Sequence, residues 1–234
     1  MQRTVRAGGS VIRYELLQTA RASVELRVVP GGLRVFAPKA LPLRQADQFV
    51  RDRAAWIAAA QSRLDAYRSR EETRFPMTDG MVVPVEGRQY ALRLRQSPVR
   101  SARFEGGALI LQAPDLSPEA VRGQLREALV GRARERLAER LDHYVPLIGR
   151  APGRVAVREQ RTRWGSCSAQ GNVNFNWKLI MAPPEALDYV VIHELCHLYE
   201  FNHSPKFWER VARYQPEYET WRAFLRSGWV HPYN

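Results

Sequence analysis

His193, Glu194 and His197 form an H-E-x-x-H run within Asp188-Tyr189-Val190-Val191-Ile192-His193-Glu194-Leu195-Cys196-His197-Leu198. The flanks predict a helix, with Pro183 and Pro184 suited to its start and Asn202 to its C-terminal turn. Residues four apart share a helix face, so His193 and His197 can direct two imidazoles at one cation. Glu194 lies about 80° around from the centre of that pair, at about 100° per residue. From there it can reach beside the cation without ligating it, where a general base takes a proton from the attacking water. A third donor follows ten residues after His193: His203, just ahead of Ser204-Pro205, which read as cap and first residue of another helix. Three neutral imidazoles and one open position are the donor set of a hydrolytic site holding one Zn2+. The bland alternative is two core histidines and a surface one; the apolar flanks weigh against it, because a buried helix has no other use for two imidazoles. Cys196 points about 80° from the pair's centre on the side away from Glu194, which makes it small core filling. His143 and His231 have no partners in the pattern and read as structural or exposed.

A second cluster runs Arg161-Thr162-Arg163-Trp164-Gly165-Ser166-Cys167-Ser168, then Gly171-Asn172-Val173-Asn174-Phe175-Asn176-Trp177. Ser168-Ala169-Gln170-Gly171 reads as a hairpin turn between short strands. Such a hairpin suits a strand bordering the metal cleft, with Arg163, Trp164, Ser166 and Asn174 as candidate substrate-binding residues. The competing reading is a tight hairpin in which Gly165 permits an unusual backbone angle and Trp164 and Trp177 pack the core. Cys167 as a nucleophile beside a histidine is the less economical reading once a metal triad is present.

The elements that must position these residues are legible upstream. Partly alternating β-branched segments predict strands over 11–17 and 24–29, a turn at Pro30-Gly31-Gly32, and a return strand over 33–36. A helical pattern follows from Arg44 to about Arg70, with Phe49, Ala54, Trp56, Ile57, Ala60 and Leu64 on its apolar face. Hairpins are predicted over 81–94 and 99–112. Ser117-Pro118-Glu119 then starts a helix that runs to about Tyr144, with Pro146 and Gly149 as its stop. No internal repeat is detected. The pattern predicts an α+β protein in two regions: 1–115, strand-rich with one long helix, and 116–234, carrying the metal-binding helix and a small edge sheet.

The chain has 234 residues, with 36 basic against 24 acidic, a formal net charge of +12. The hydrophobic fraction of 45% excludes a wholly disordered chain. No apolar run is long enough for a transmembrane helix, and no apolar h-region follows the basic N-terminal residues, so no secretory signal is expected. Two cysteines cannot build a disulfide framework, which points to the cytoplasm. Residues 1–150 hold 26 basic and 16 acidic side chains and residues 151–234 hold 10 and 8. The excess is therefore N-terminal, either as a solvated surface or as a patch for an anionic partner such as a nucleotide or nucleic acid.

Four motifs in order carry a resemblance: R-x-R-W-G-S-C-S at Arg161–Ser168, N-x-N-W at Asn174–Trp177, D-Y-V-V-x-H-E-L-C-H-L at Asp188–Leu198, and N-H-S-x-x-F-W at Asn202–Trp208. They resemble the YgjP-like family of metal-dependent hydrolases, related to the zincin metallopeptidases and more distantly to SprT-like proteases. The upstream strands and the Trp56-Ile57 helix resemble that family's N-terminal half more loosely. The resemblance implies a zincin-like C-terminal half, His193, His197 and His203 as zinc ligands, Glu194 as catalytic base, and peptide-bond cleavage. The third-ligand spacing equals that of metzincins, but Glu200 stands at their glycine position and Met181 is the last methionine, so metzincin identity does not follow. Glu209 is the second candidate for third ligand, in the gluzincin manner. Two other activities compete: a metal-dependent nucleoside triphosphate pyrophosphohydrolase clamped by N-terminal arginines, and a nucleic-acid-binding module with a structural zinc.

Overall fold

The computed structural model describes residues 1–29, 31–160 and 162–228, with the backbone alone described for 67–74. Pro30 of the first turn, Arg161 of the second cluster and His231 lie outside the described residues. Among those described, the chain is mixed α+β, with three small sheets and six α-helices. Its contacts divide it into two compact units, Met1–Arg74 and Phe75–Asn234. No helix among the described residues is long and apolar enough to cross a membrane.

The first unit is a four-stranded sheet with helices. Strands β1 (Gln2–Ala7), β2 (Ser10–Thr19), β3 (Glu25–Val29) and β4 (Gly32–Pro38) lie in the order β1-β2-β4-β3, with β2 and β4 parallel. Helix α1 (Leu43–Asp52) buries Ala46, Asp47 and Val50. Asp47 is tied down by the Arg3 guanidinium at 2.9 and 2.6 Å and by the Tyr14 hydroxyl at 2.6 Å. The arginine's hydrogen bonds hold the Asp47 carboxyl below the ordinary carboxylate range against the opposing effect of burial. The single helix expected over 44–70 is instead two. Arg53, at φ −111° and ψ 14°, leaves the helical region with its guanidinium over the Phe49 ring, and α2 (Ala54–Arg74) starts afresh.

The second unit opens with β5 (Val82–Val85), β6 (Arg88–Gln96), β7 (Ser101–Glu105) and β8 (Ala108–Ala113), in the order β5-β6-β8-β7. Strand order and pairing senses repeat those of the first sheet: antiparallel, parallel, antiparallel. The expectation of no internal repeat is therefore corrected. The shared sequence signal is slight: a Gly-Gly pair before the parallel partner strand (Gly31-Gly32, Gly106-Gly107) and Ala-Pro at its end (Ala37-Pro38, Ala113-Pro114).

Helix α3 (Pro118–Ile148) follows. The Ser117 hydroxyl accepts a hydrogen bond from the Ala120 N–H, and Gly149 closes the far end at φ 81°, where a left-handed residue is needed. Pro146 sits inside the last turn instead of ending the helix two residues earlier. Val121, Leu125, Leu129, Ala133, Leu137 and Ile148 make its buried stripe. That stripe packs the four-stranded sheet into the same core as the helix that carries His193. For this reason the compact units meet at 74/75, whereas the sequence pattern drew the boundary at 115/116.

The remainder is a three-stranded sheet and three helices. The sheet has the order β10 (Gly165–Cys167), β11 (Val173–Asn176), β9 (Val155–Arg158), the small edge sheet expected. Helices α4 (Pro184–Cys196), α5 (Pro205–Tyr214) and α6 (Tyr218–Arg226) follow. Helix α4 is apolar almost all round and buries Leu187, Val190, Val191, Ile192, Leu195 and Cys196. Its polar N-terminal anchor is Asp188, which accepts from Arg140 Nε at 2.6 Å, Arg140 Nη2 at 2.8 Å and the Tyr144 hydroxyl at 3.1 Å. This bidentate pair is mostly buried, with the two side chains 21% and 17% exposed, so it fixes the rotation of α4 against α3. Asp188→Ala should lower stability by about 1–3 kcal/mol. A double-mutant cycle with Arg140→Met, read from urea unfolding, should show coupling above about 1 kcal/mol; additive single effects would remove the pair from the positioning of α4.

Candidate metal centre

The last turn of α4 carries His193 and Glu194, and His197 is the helix's C-cap residue in right-handed helical geometry. The helix thus ends earlier than the expected Asn202, but the four-residue spacing still sets both imidazoles on one face. The chain turns, with Arg150 donating to the Leu198 carbonyl, and returns His203. Ser204 caps α5 through its hydroxyl and the Phe207 N–H, with Pro205 first in the helix, as expected. His203 is therefore presented from a bend with a fixed exit.

The three rings converge. His193 Nε2 lies 3.2 Å from His197 Nε2 and 3.1 Å from His203 Nε2, and the possible ligand atoms all fall within 4.8 Å of one another. Glu209 is exposed and does not join them. Aromatic rings hold the imidazoles in place. Phe207 stacks on His197 at 4.5 Å, Trp208 on His203 at 5.4 Å, and Tyr218 on Trp208 at 5.2 Å.

The outer ring nitrogens set the tautomers. His197 Nδ1 lies 2.9 Å from the Glu200 carbonyl oxygen, which can only accept. Nδ1 is therefore the protonated nitrogen of the neutral ring, and Nε2 carries a lone pair toward the cluster. His193 Nδ1 is 3.4 Å from the Tyr189 hydroxyl. Burial, with the neighbouring His197 and His203 adding to it, pushes His193 down to about 3, so its ring is neutral at physiological pH. Burial also lowers His197 and His203, the latter with help from His197, Arg222 and Arg226. A single proton on His193 Nε2 could satisfy only one of its two close neighbours. A cation satisfies all three: tetrahedral coordination at about 2.0–2.1 Å per nitrogen separates the nitrogens by about 3.3–3.4 Å. The residues present thus fit a metal ion.

Glu194 lies beside the cluster, 4% exposed, with Oε2 buried and without a hydrogen-bond partner among the described residues. Burial pushes its carboxyl up to about 8, against the opposing effect of the Arg163 charge. Its neighbour on β10 is Gly165. A Cβ on that residue would stand 2.5 Å from Glu194 Oε1 and 2.7 Å from Cγ. The glycine is needed for this close approach; it is absent from the residues with positive φ, which corrects the unusual-angle reading.

Arg163, Trp164, His193, Glu194 and His203 line a single cleft of about 660 Å³. The Trp164 indole donates to the Leu225 carbonyl at 3.2 Å, joining the loop before β10 to α6. Two other sequence candidates stand elsewhere: Asn174 donates to the Ser166 hydroxyl across β10–β11, and neither is among the described residues lining the cleft. Trp177 is core, 1% exposed. Both cysteines are free, Cys196 buried with its thiol pushed up to about 12 by burial, and Cys167 raised by burial and by the Glu194 charge. Neither is poised as a thiolate nucleophile. Sequence reasoning missed Arg222 and Arg226, which also line the cleft; the available signal was their i, i+4 spacing on one face of an amphipathic segment.

With the site's geometry in place, comparison with known proteins decides its class. The model of the YgjP-like metallopeptidase domain matches residues 22–228. The chain belongs to the YgjP-like metallopeptidase family. As a member it is a metal-dependent hydrolase, and the match reaches into the loosely patterned N-terminal unit as well as the metal-site motifs. No curated protein matches the chain. Among solved structures, the metallopeptidase zymogen jannalysin of Methanocaldococcus jannaschii is similar at 16% identity and a TM-score of 0.36, over 40% of this chain and 97% of that one.

Replacing Gly165 with Ala should displace the Glu194 carboxylate and lower kcat by at least about 100-fold, while thermal stability and metal content stay near those of the parent. Parent-like turnover in a folded, metal-replete G165A protein would show that the close approach has no role in placing Glu194.

Proposed function

We propose that this YgjP-like chain is a zinc-dependent peptidase in which His193, His197 and His203 hold one Zn2+ and Glu194 is the general base. The observation that carries the reading is the convergence of three neutral imidazoles beside a buried carboxylate oxygen with no partner among the described residues. Zinc held by the three histidines would polarise the scissile carbonyl, acidify the attacking water and favour the ionised form of Glu194. The chain's own part is then definite. Glu194 Oε2 takes the proton of the attacking water and delivers it to the leaving amine. Gly165 leaves room for the carboxylate at the cleft wall, and burial keeps bulk water from levelling its basicity. The Glu200 carbonyl and the Tyr189 hydroxyl orient His197 and His193 from behind.

A structural zinc in a nucleic-acid module would call for a fourth protein donor, and no cysteine or carboxylate among the described residues joins the three histidines. Hydrolysis of a phosphoanhydride, as in a nucleoside triphosphate, is the second reading. It is favoured by the arginines of the cleft, which come from residues 163, 222 and 226 and not from the basic N-terminal half. The cytoplasm remains the proposed location, on the cysteine count.

Glu194→Gln should retain one equivalent of zinc and lose about 100- to 10,000-fold in kcat on a cleaved peptide, with KM little changed. Undiminished turnover by the zinc-replete variant would remove Glu194 from the mechanism.

A further inference from the structure

The cleft beside the three histidines is lined by three arginines: Arg163 in the loop before β10, and Arg222 and Arg226 one turn apart on α6. None of the three forms an ion pair with a described side chain, whereas Arg126, Arg132, Arg136 and Arg140 of the same unit do. Glu194 is the one acidic residue among the described residues lining the cleft. Its carboxylate is packed against Gly165, so it is poorly placed to neutralise guanidinium groups on α6.

The arginines are also held in place. Arg222 lies over the Trp208 ring at 4.4 Å, and that ring stacks on His203, so the guanidinium is fixed relative to the metal site. The indole hydrogen bond from Trp164 to the Leu225 carbonyl ties the loop bearing Arg163 to the helix bearing the other two. A folded protein that leaves three positive groups unpaired around a reaction centre has a standing demand for a negative ligand, and the planar guanidinium fork matches a carboxylate in particular.

We propose that the site is selective for acidic peptides: those with an Asp or Glu side chain, or a C-terminal carboxylate, close to the scissile bond, read by Arg163, Arg222 and Arg226. This rests on the peptidase reading of the same site and names its substrate class. The arginines are specificity residues; the bond-breaking groups remain those already described.

The test uses the zinc-loaded full chain and matched fluorogenic peptides that differ only as Asp against Asn, or Glu against Gln, on either side of the cleaved bond. A C-terminal amide is set against the free acid, and a nucleoside triphosphate serves as a separate arm. At low salt, kcat/KM for the acidic member should exceed that of its amide by about tenfold or more. The ratio should fall toward one in Arg222→Gln and Arg226→Gln, and shrink as salt is raised. Arg226 is exposed, so its substitution keeps the test open if loss of the Trp208 stack unfolds the Arg222 variant. Equal cleavage of acid and amide peptides would overturn the charge selectivity and leave the peptidase reading standing, as would a ratio undiminished in both arginine variants. Hydrolysis of the nucleoside triphosphate with no peptide cleaved would overturn both.

Discussion

A carboxylate buried beside a cluster of three histidines, with one oxygen that finds no partner among the described residues, is the feature on which the site depends. Placing Glu194 4% exposed with Oε2 unpaired costs several kcal/mol if the group is charged. The protein's response is visible in the upward shift of its carboxyl to about 8. That burial comes from two directions: α4 is apolar almost all round and enters the core, and β10 approaches so closely that only glycine fits opposite the side chain. The unfavourable placement is held by its neighbours and not by contacts of its own.

Those neighbours form a chain of support from the sheet to the site. Sheet β5-β6-β8-β7 is packed by the stripe of α3, and α3 grips α4 through Arg140, Tyr144 and Asp188. Helix α5 contributes Phe207 and Trp208 as planar supports for His197 and His203. The Trp164–Leu225 hydrogen bond binds the β10 loop to α6. Each ring of the histidine cluster is therefore set by packing or by a hydrogen bond behind it, as a site needs when its donors repel one another without a cation.

The convergence of the three histidines was legible because its signal is local: His193 and His197 follow helical periodicity, and Ser204-Pro205 fixes the exit after His203. Strands and helices with clear periodicity were legible for the same reason. Gly165 was misread because a glycine that permits a turn and one that admits a neighbour look identical in sequence; only the approach of Glu194 separates them. Ser166 and Asn174 look like polar ligands in a motif, yet their side chains serve each other across a strand pair. Net charge misled in a different way. It pointed to residues 1–150, whereas the arginines that converge on the cleft lie in the segment with the smaller excess, because a sum over many side chains says nothing of where a few converge. The duplicated sheet escaped notice since topology is carried by pairing, and the two copies share little beyond Gly-Gly and Ala-Pro.

The central claim is that three histidines, and no other side chain, hold one zinc ion while Glu194 stays outside its coordination. X-ray absorption at the zinc edge of the zinc-loaded protein tests this most directly. The account predicts one zinc per chain, three imidazole nitrogens at about 2.0–2.1 Å and one further light atom from solvent. A sulfur at about 2.3 Å, a closed set of four protein donors, or fewer than three imidazoles would contradict it.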